Sequence, residues 1–163
     1  MSAIRHGTAP VPVGEVCTGA VNEKLLGLEI KGVDGKEYRL VKATAIVAAP
    51  GTLCFKRSSA GGDSVTLTVA EANNCCGVAV SGQAALAVGD YFFLQVDGEM
   101  TLTGKSGHGI SAGDYVMPSP APNDGKVQQA STPSALEDGL PLRAHTVATN
   151  VISVYPQRKL WGL

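Results

Sequence analysis

The 163-residue sequence has no excess of charge of either sign: 13 Lys and Arg stand against 14 Asp and Glu, a formal net charge of −1. Without a global field the chain is not drawn onto nucleic acid or an anionic bilayer, so electrostatically driven binders of either kind are excluded as a class. Charged residues of any sign are also scarce, 17% of the chain against roughly 25% in ordinary soluble domains. Aromatic residues are 5%, and no segment interleaves them with basic residues as a single-strand-binding platform requires. Long apolar runs are missing too. The longest, from Ala43 to Cys54, is broken by Pro50 and Gly51, and spanning a bilayer takes about 20 residues. The first residues carry Arg5, His6, Pro10 and Pro12 and lack the apolar stretch of a secretory leader. The expectation is a soluble protein that is not exported. The four cysteines, Cys17, Cys54, Cys75 and Cys76, form no C-x-x-C unit and are too scattered for a disulfide framework. They read as small buried hydrophobes in a reducing compartment, the other readings being a single Cys54 bridge or a reactive thiol.

Recognisable chemistry is equally sparse. Gly104-Lys105-Ser106 ends like a phosphate-binding loop, but the required glycine five residues earlier is Glu99. The segment is read as a loop with a solvated lysine. His6, His108 and His145 stand at no metal-pair spacing and outside any cysteine cluster, so no metal or cofactor site is legible. His108 lies near Ser106 and Ser111, with Asp114 or Asp90 as an orienting acid in the one nucleophilic arrangement that can be drawn. Neither serine has the G-x-S-x-G elbow that such a nucleophile uses. Asp97 and Glu99, around Gly98, and Glu137-Asp138 read as solvated turn residues. The sequence shows no catalytic signature, and the expectation is that the protein is not an enzyme.

What the chain does contain is turn formers and short alternating runs. Twenty glycines and nine prolines punctuate strand-like segments at the spacing of an all-β barrel or sandwich. With 44% apolar positions, the length supports one domain burying about two-thirds of its unfolded surface. Residues 1–16 contain Pro10-Val11-Pro12-Val13-Gly14, in which proline fixes φ and biases its predecessor away from helix, so they read as an extended arm. Residues 17–163 form the body. Leu26 to Lys31 and Glu37 to Val41 flank Asp34-Gly35, a tight hairpin signal. Ala45 to Ala48, Leu53 to Phe55, Ser64 to Val69, Val78 to Val80, Tyr91 to Val96, Met100 to Thr103, Tyr115 to Met117, Val127 to Gln129 and Thr146 to Tyr155 follow as strands. Ser58 to Asp63 is a loop tip, and 118–140 holds an elaborated loop. At most two short helical turns fit, over 69–74 and 132–139.

One internal echo stands out: Val88-Gly89-Asp90-Tyr91-Phe92 recurs as Ala112-Gly113-Asp114-Tyr115-Val116. Each is followed by a glycine turn, Asp97-Gly98-Glu99 and Asp124-Gly125-Lys126. In each copy Gly-Asp makes the turn into a strand, the Asp capping backbone groups. The segment Tyr155 to Leu163 places the sole tryptophan, Trp161, between Leu160 and Leu163. Such an apolar end docks either on its own body or on a neighbouring subunit.

The Pro-rich arm over Ala9 to Gly14, the repeated hairpins at Gly89 to Tyr91 and Gly113 to Tyr115, and the charge-poor Ala/Gly/Thr/Val composition together resemble the decoration proteins of tailed-bacteriophage capsids, also called cement or auxiliary head proteins. The resemblance implies a homotrimer on the outer face of the virion head that clamps neighbouring major capsid subunits and is made in the host cytoplasm. It implies no enzymatic activity, no cofactor, and no nucleic-acid or membrane partner. The arm, with Ile4, Pro10, Val11, Pro12 and Val13, would contact the capsid by adding a strand to an open sheet edge; Leu160, Trp161 and Leu163 would contact subunits. At 163 residues the chain exceeds the shortest such proteins. Two other classes fit the same residues: a receptor-binding fibre or tail component on a similar trimeric β scaffold, and a small β-barrel ligand binder or enzyme using the His108 loop and Cys54.

Overall fold

The computed structural model describes residues 16–17, 25–48, 50–56, 64–66, 75–80, 85–120, 122, 125–130 and 142–156. They form strands β1 (Val16–Cys17), β2 (Glu29–Lys31), β3 (Glu37–Ala43), β4 (Val47–Ala48), β5 (Leu53–Lys56), β6 (Ser64–Thr66), β7 (Cys75–Ala79), β8 (Ala85–Leu86), β9 (Tyr91–Asp97), β10 (Met100–Thr103), β11 (Val116–Pro118), β12 (Val127–Gln129), β13 (Leu142–Ala148) and β14 (Val151–Pro156). The mainly β class is as the sequence predicts. Both helical-turn segments, the loop at 58–63, most of the arm and most of 118–140 lie outside the described residues. Among the described residues no helix is long and apolar enough to cross a membrane.

The Asp34-Gly35 hairpin forms as expected. Gly35 takes φ +79°, Asp34 accepts from the Lys36 N–H and the Tyr38 hydroxyl, and β2 pairs antiparallel with β3. Burial, and then the bond to Asp34, push the Tyr38 hydroxyl well above its usual pKa. A second expectation is corrected. Thr146 to Tyr155 is not one strand: Ala148 pairs with Val151 across a two-residue turn, so the run belongs to an antiparallel β13–β14 hairpin. The turn is made by Thr149, with φ 51°, and Asn150.

Pairings run in a circuit, β3 to β9 to β7 to β5 to β6 and back to β3, the last join being parallel. Among the described residues, three of the five joins, β7–β9, β5–β6 and β3–β6, have only two residue pairs each. The wall is therefore not a closed barrel, which corrects the barrel alternative. It still curls around one core, Val41, Ala43, Val47, Cys54, Val65, Ala79, Leu86, Phe92, Leu94 and Val96.

The period-two alternation of strands distributes the remaining apolar side chains between two further cores. From β3 and β9 the opposite parity, Tyr38, Leu40, Tyr91 and Phe93, packs with Leu26, Leu28 and Ile30. Leu53 of β5 and Val78 of β7 instead face Met100, Leu102, Val116, Val127, Ile152 and Val154. Strands β5 and β7 are thus a wall shared by two cores. β9 is buried on both faces from Tyr91 to Val96, and each of its large side chains contributes roughly 1.5–3 kcal/mol by leaving water. β10, β14 and β13 form a separate sheet, as do β11 with β12 and β4 with β8.

Candidate functional site

The two Gly-Asp-Tyr segments do not lead into two hairpins, since β11 pairs with β12 but β9 pairs with β1, β3 and β7 while β10 pairs with β14; their turns nevertheless fold alike down to single hydrogen bonds. In the first, Gly89 has φ +97°, the Ala87 N–H donates to Asp90 Oδ2 at 2.7 Å, and the Asp90 N–H returns to the Ala87 carbonyl at 3.2 Å. In the second, Gly113 has φ +95°, the Ser111 N–H donates to Asp114 Oδ2 at 2.8 Å, and the Asp114 N–H returns to the Ser111 carbonyl at 3.1 Å. Each turn then docks on an alanine of a neighbouring strand. Gly89 N–H donates to the Ala43 carbonyl and Ala43 N–H to the Asp90 carbonyl; Gly113 N–H donates to the Ala144 carbonyl and Ala144 N–H to the Asp114 carbonyl, all at 2.8 or 2.9 Å. The residue before each alanine is a cation opposite the tyrosine. Lys42 Nζ lies 5.3 Å from the Tyr91 ring centre, and Arg143 Cζ lies 5.8 Å from that of Tyr115. The capping role expected of the aspartates holds, while the paired Lys42-Ala43 and Arg143-Ala144 were a legible part of the same echo that the sequence reading missed.

Beside the second turn lies a recess of about 380 Å³ lined by Gly113, Arg143, Ala144, His145, Tyr155 and Pro156. A register shift between Ala144 and Thr146 inserts His145 as a bulge in β13, the device by which a strand re-aims one side chain. Its ring stacks on Tyr155, with centres 4.9 Å apart. Its Nε2 lies 2.7 Å from Glu99 Oε1 and its Nδ1 3.0 Å from Thr146 Oγ1, so both nitrogens are engaged. Glu99 is therefore a partner of a residue 46 positions on rather than only a solvated turn residue. Arg143 donates from Nε to the Gly113 carbonyl at 2.8 Å. The recess thus sets a guanidinium beside aromatic and apolar walls.

The nucleophilic arrangement drawn from the sequence is not assembled. His108 Nδ1 accepts from the Ile110 N–H at 2.9 Å. Its Nε2 therefore carries the proton and donates to the Thr149 carbonyl at 2.6 Å. Asp114 instead holds the Ser111 N–H and Gln129, and Asp90 the Ala87 N–H; neither orients His108. The ring is a strut between the 104–110 loop and the β13–β14 turn. Gly104 bridges Val127 and is followed by a turn rather than a helix. Cys54 is fully buried, and burial pushes its thiol up to about 12, the environment of a packing residue rather than a reactive one. Among the described residues no group of three His, Cys, Asp or Glu could hold a metal ion. Ile4, Pro10, Val11, Pro12 and Val13 of the arm, and Leu160, Trp161 and Leu163, lie outside the described residues.

No family model matches the chain, and no curated protein matches it. Among solved structures it is similar to the head fiber gp8.5 N base of bacteriophage phi29, at 15% identity over 75% of this chain and 94% of that one, with a TM-score of 0.48. A likeness of that degree transfers neither fold nor function to this chain.

Proposed function

We propose that the protein is a structural component of a phage virion that binds the outer surface of the capsid as a homotrimer and bridges neighbouring major capsid subunits. The observation that carries this reading is the doubled Gly-Asp-Tyr turn on which the sequence resemblance rests, folded twice in one geometry within a mainly β body. The arm joins that body at β1, an end strand of the seven-stranded sheet, where it can reach a partner's sheet edge and add main-chain hydrogen bonds largely independent of side-chain identity. Many copies bound only to the assembled shell stabilise it by mass action. In this reading the protein performs no catalysis, uses no cofactor, and has no nucleic-acid or membrane partner.

The test is the mass of the full-length protein in solution, followed by co-sedimentation with heads that lack it. The expected result is a trimer that pellets with heads. Removing residues 2–13 is expected to leave a body with an unchanged circular dichroism spectrum that no longer pellets. A monomer that stays in the supernatant overturns the proposal, and binding to tails but not heads replaces it with the fibre or tail reading.

A further inference from the structure

We propose that the recess beside the second Gly-Asp-Tyr turn binds a carboxylate carried by an acidic peptide segment of a protein partner, with Arg143 as the fork that grips it. The inference does not rest on the capsid reading. Arg143 is exposed, yet its guanidinium is oriented: Nε is held by the Gly113 carbonyl and the group lies over the Tyr115 ring. Among the described residues, neither terminal nitrogen has a partner. A planar fork with two parallel donors matches a carboxylate in bidentate geometry, and fixing its stem beforehand removes part of the ordering cost of binding.

The turn itself does not require this arrangement. In the first copy the equivalent cation is a lysine, half-buried over a tyrosine that is only 5% exposed. The second copy places an arginine at the same register and leaves its surroundings open: Tyr155 is 51% exposed. The acids nearby are already committed, Glu99 to His145 and Asp114 to Ser111 and Gln129. The other walls are Tyr155, Pro156 and a His145 ring with both nitrogens engaged, which suit an apolar side chain next to the acid. A saccharide would need several convergent donors and acceptors, and with both His145 nitrogens engaged this lining offers only the Arg143 guanidinium and the Tyr155 hydroxyl as polar side-chain groups. An acidic peptide with an apolar neighbour is the occupant that fits.

The experiment titrates the full-length, 15N-labelled protein with acetyl-Leu-Glu-Leu-amide and with the same peptide carrying Gln. The expected result is saturable shifts at the amides of Gly113, Ala144, His145 and Tyr155 and at the Arg143 side-chain N–H, with a dissociation constant on the order of 1 mM. The Gln peptide and the Arg143→Gln variant should each bind at least tenfold more weakly. Arg143→Lys, which keeps the charge and loses the fork, should also bind more weakly while the rest of its spectrum stays unchanged. Equal responses to both peptides, or no response, overturn the proposal. So does a wild-type protein that stays silent while a Glu137→Gln/Asp138→Asn variant binds, because the chain's own acids would then fill the fork.

Discussion

The two Gly-Asp-Tyr turns are the same local structure in opposite surroundings. At the first, Asp90 is 7% and Tyr91 5% exposed, and the turn feeds β9, which is covered on both faces. At the second, Asp114 and Tyr115 are half-buried, the turn feeds the three-residue β11, and a recess opens beside it. The hydrogen bonds match to within about 0.1 Å, so the local sequence, not burial, specifies the turn. Burial decides what the turn is for: a rigid entry to a core strand in one place, a frame around an exposed arginine in the other. The comparison teaches that substitutions at corresponding positions should differ in cost according to what lies around them.

The largest effect belongs to the covered region. Gly77 of β7 lies against β9 so closely that a Cβ would fall 2.6 Å from the Gln95 carbonyl oxygen and 3.1 Å from Leu94 Cβ. Both neighbours are pinned by a fully buried strand, so Gly77→Ala should destabilise by roughly 3 kcal/mol, read as a lowered denaturation midpoint at unchanged slope. A loss below 1 kcal/mol would mean that β7 and β9 can part, and the contrast with the open region would collapse.

The paired aspartates test the comparison most directly. Asp90→Ala removes a charge-assisted acceptor whose own side chain is buried and should cost about 2 kcal/mol, whereas Asp114→Ala, at a half-buried side chain, should cost about 0.5–1 kcal/mol. Chemical denaturation of both variants checks the difference. Equal losses would show that the turn, not its surroundings, sets the energy.

Cys54 sharpens the covered side through pH. Its folded thiol is pushed from its ordinary value of 9.0 up to about 12 by burial, so the native state keeps a proton that the unfolded chain loses. The stability Cys54 contributes is complete below pH 9.0 and falls as pH rises toward 12, by at most about 1.4 kcal/mol per pH unit. The difference in stability between wild type and Cys54→Ala should therefore shrink from pH 8 to pH 10. Native Cys54 should also resist alkylation until the protein unfolds.

Sequence made the first region readable because its signals are local. Asp34-Gly35 announces a hairpin that forms, Gly-Asp-Tyr announces both turns, and the apolar run from Tyr91 to Val96 announces a core strand, which the structure buries on both faces. What stayed illegible depends on residues distant in the chain. The parallel join of β3 to β6 rests on two residue pairs. Gln95, 2% exposed, donates to the Asp97 and Glu99 carbonyls and so braces a turn whose sequence gives no sign of it. The candidate site was hidden for the same reason. Arg143, His145 and Tyr155 are unremarkable singly, and only a bulge in β13 and its pairing with β14 bring them to one recess. Thr146 to Tyr155 reads as one strand because Thr149-Asn150 carries neither glycine nor proline.

That turn supplies the smallest prediction and the one of opposite sign. Thr149 is β-branched and exposed, yet it sits at φ 51°, a conformation disfavoured for L residues and most of all for branched ones. It is held there by its neighbours: its carbonyl accepts from His108 Nε2 at 2.6 Å, and the next carbonyl, of Asn150, accepts from the Gly104 N–H at 2.8 Å. Both bonds use main-chain oxygens and survive replacement of the side chain. Asparagine tolerates positive φ, so Thr149→Asn should raise stability by about 0.5–1 kcal/mol, visible as a small rise in Tm with the hairpin register unchanged. The same substitution in a His108→Ala background should gain no more, because the strain then relaxes without it. If the gain persists undiminished, His108 is not what holds the turn, and the open region owes its shape to the β13–β14 pairing alone.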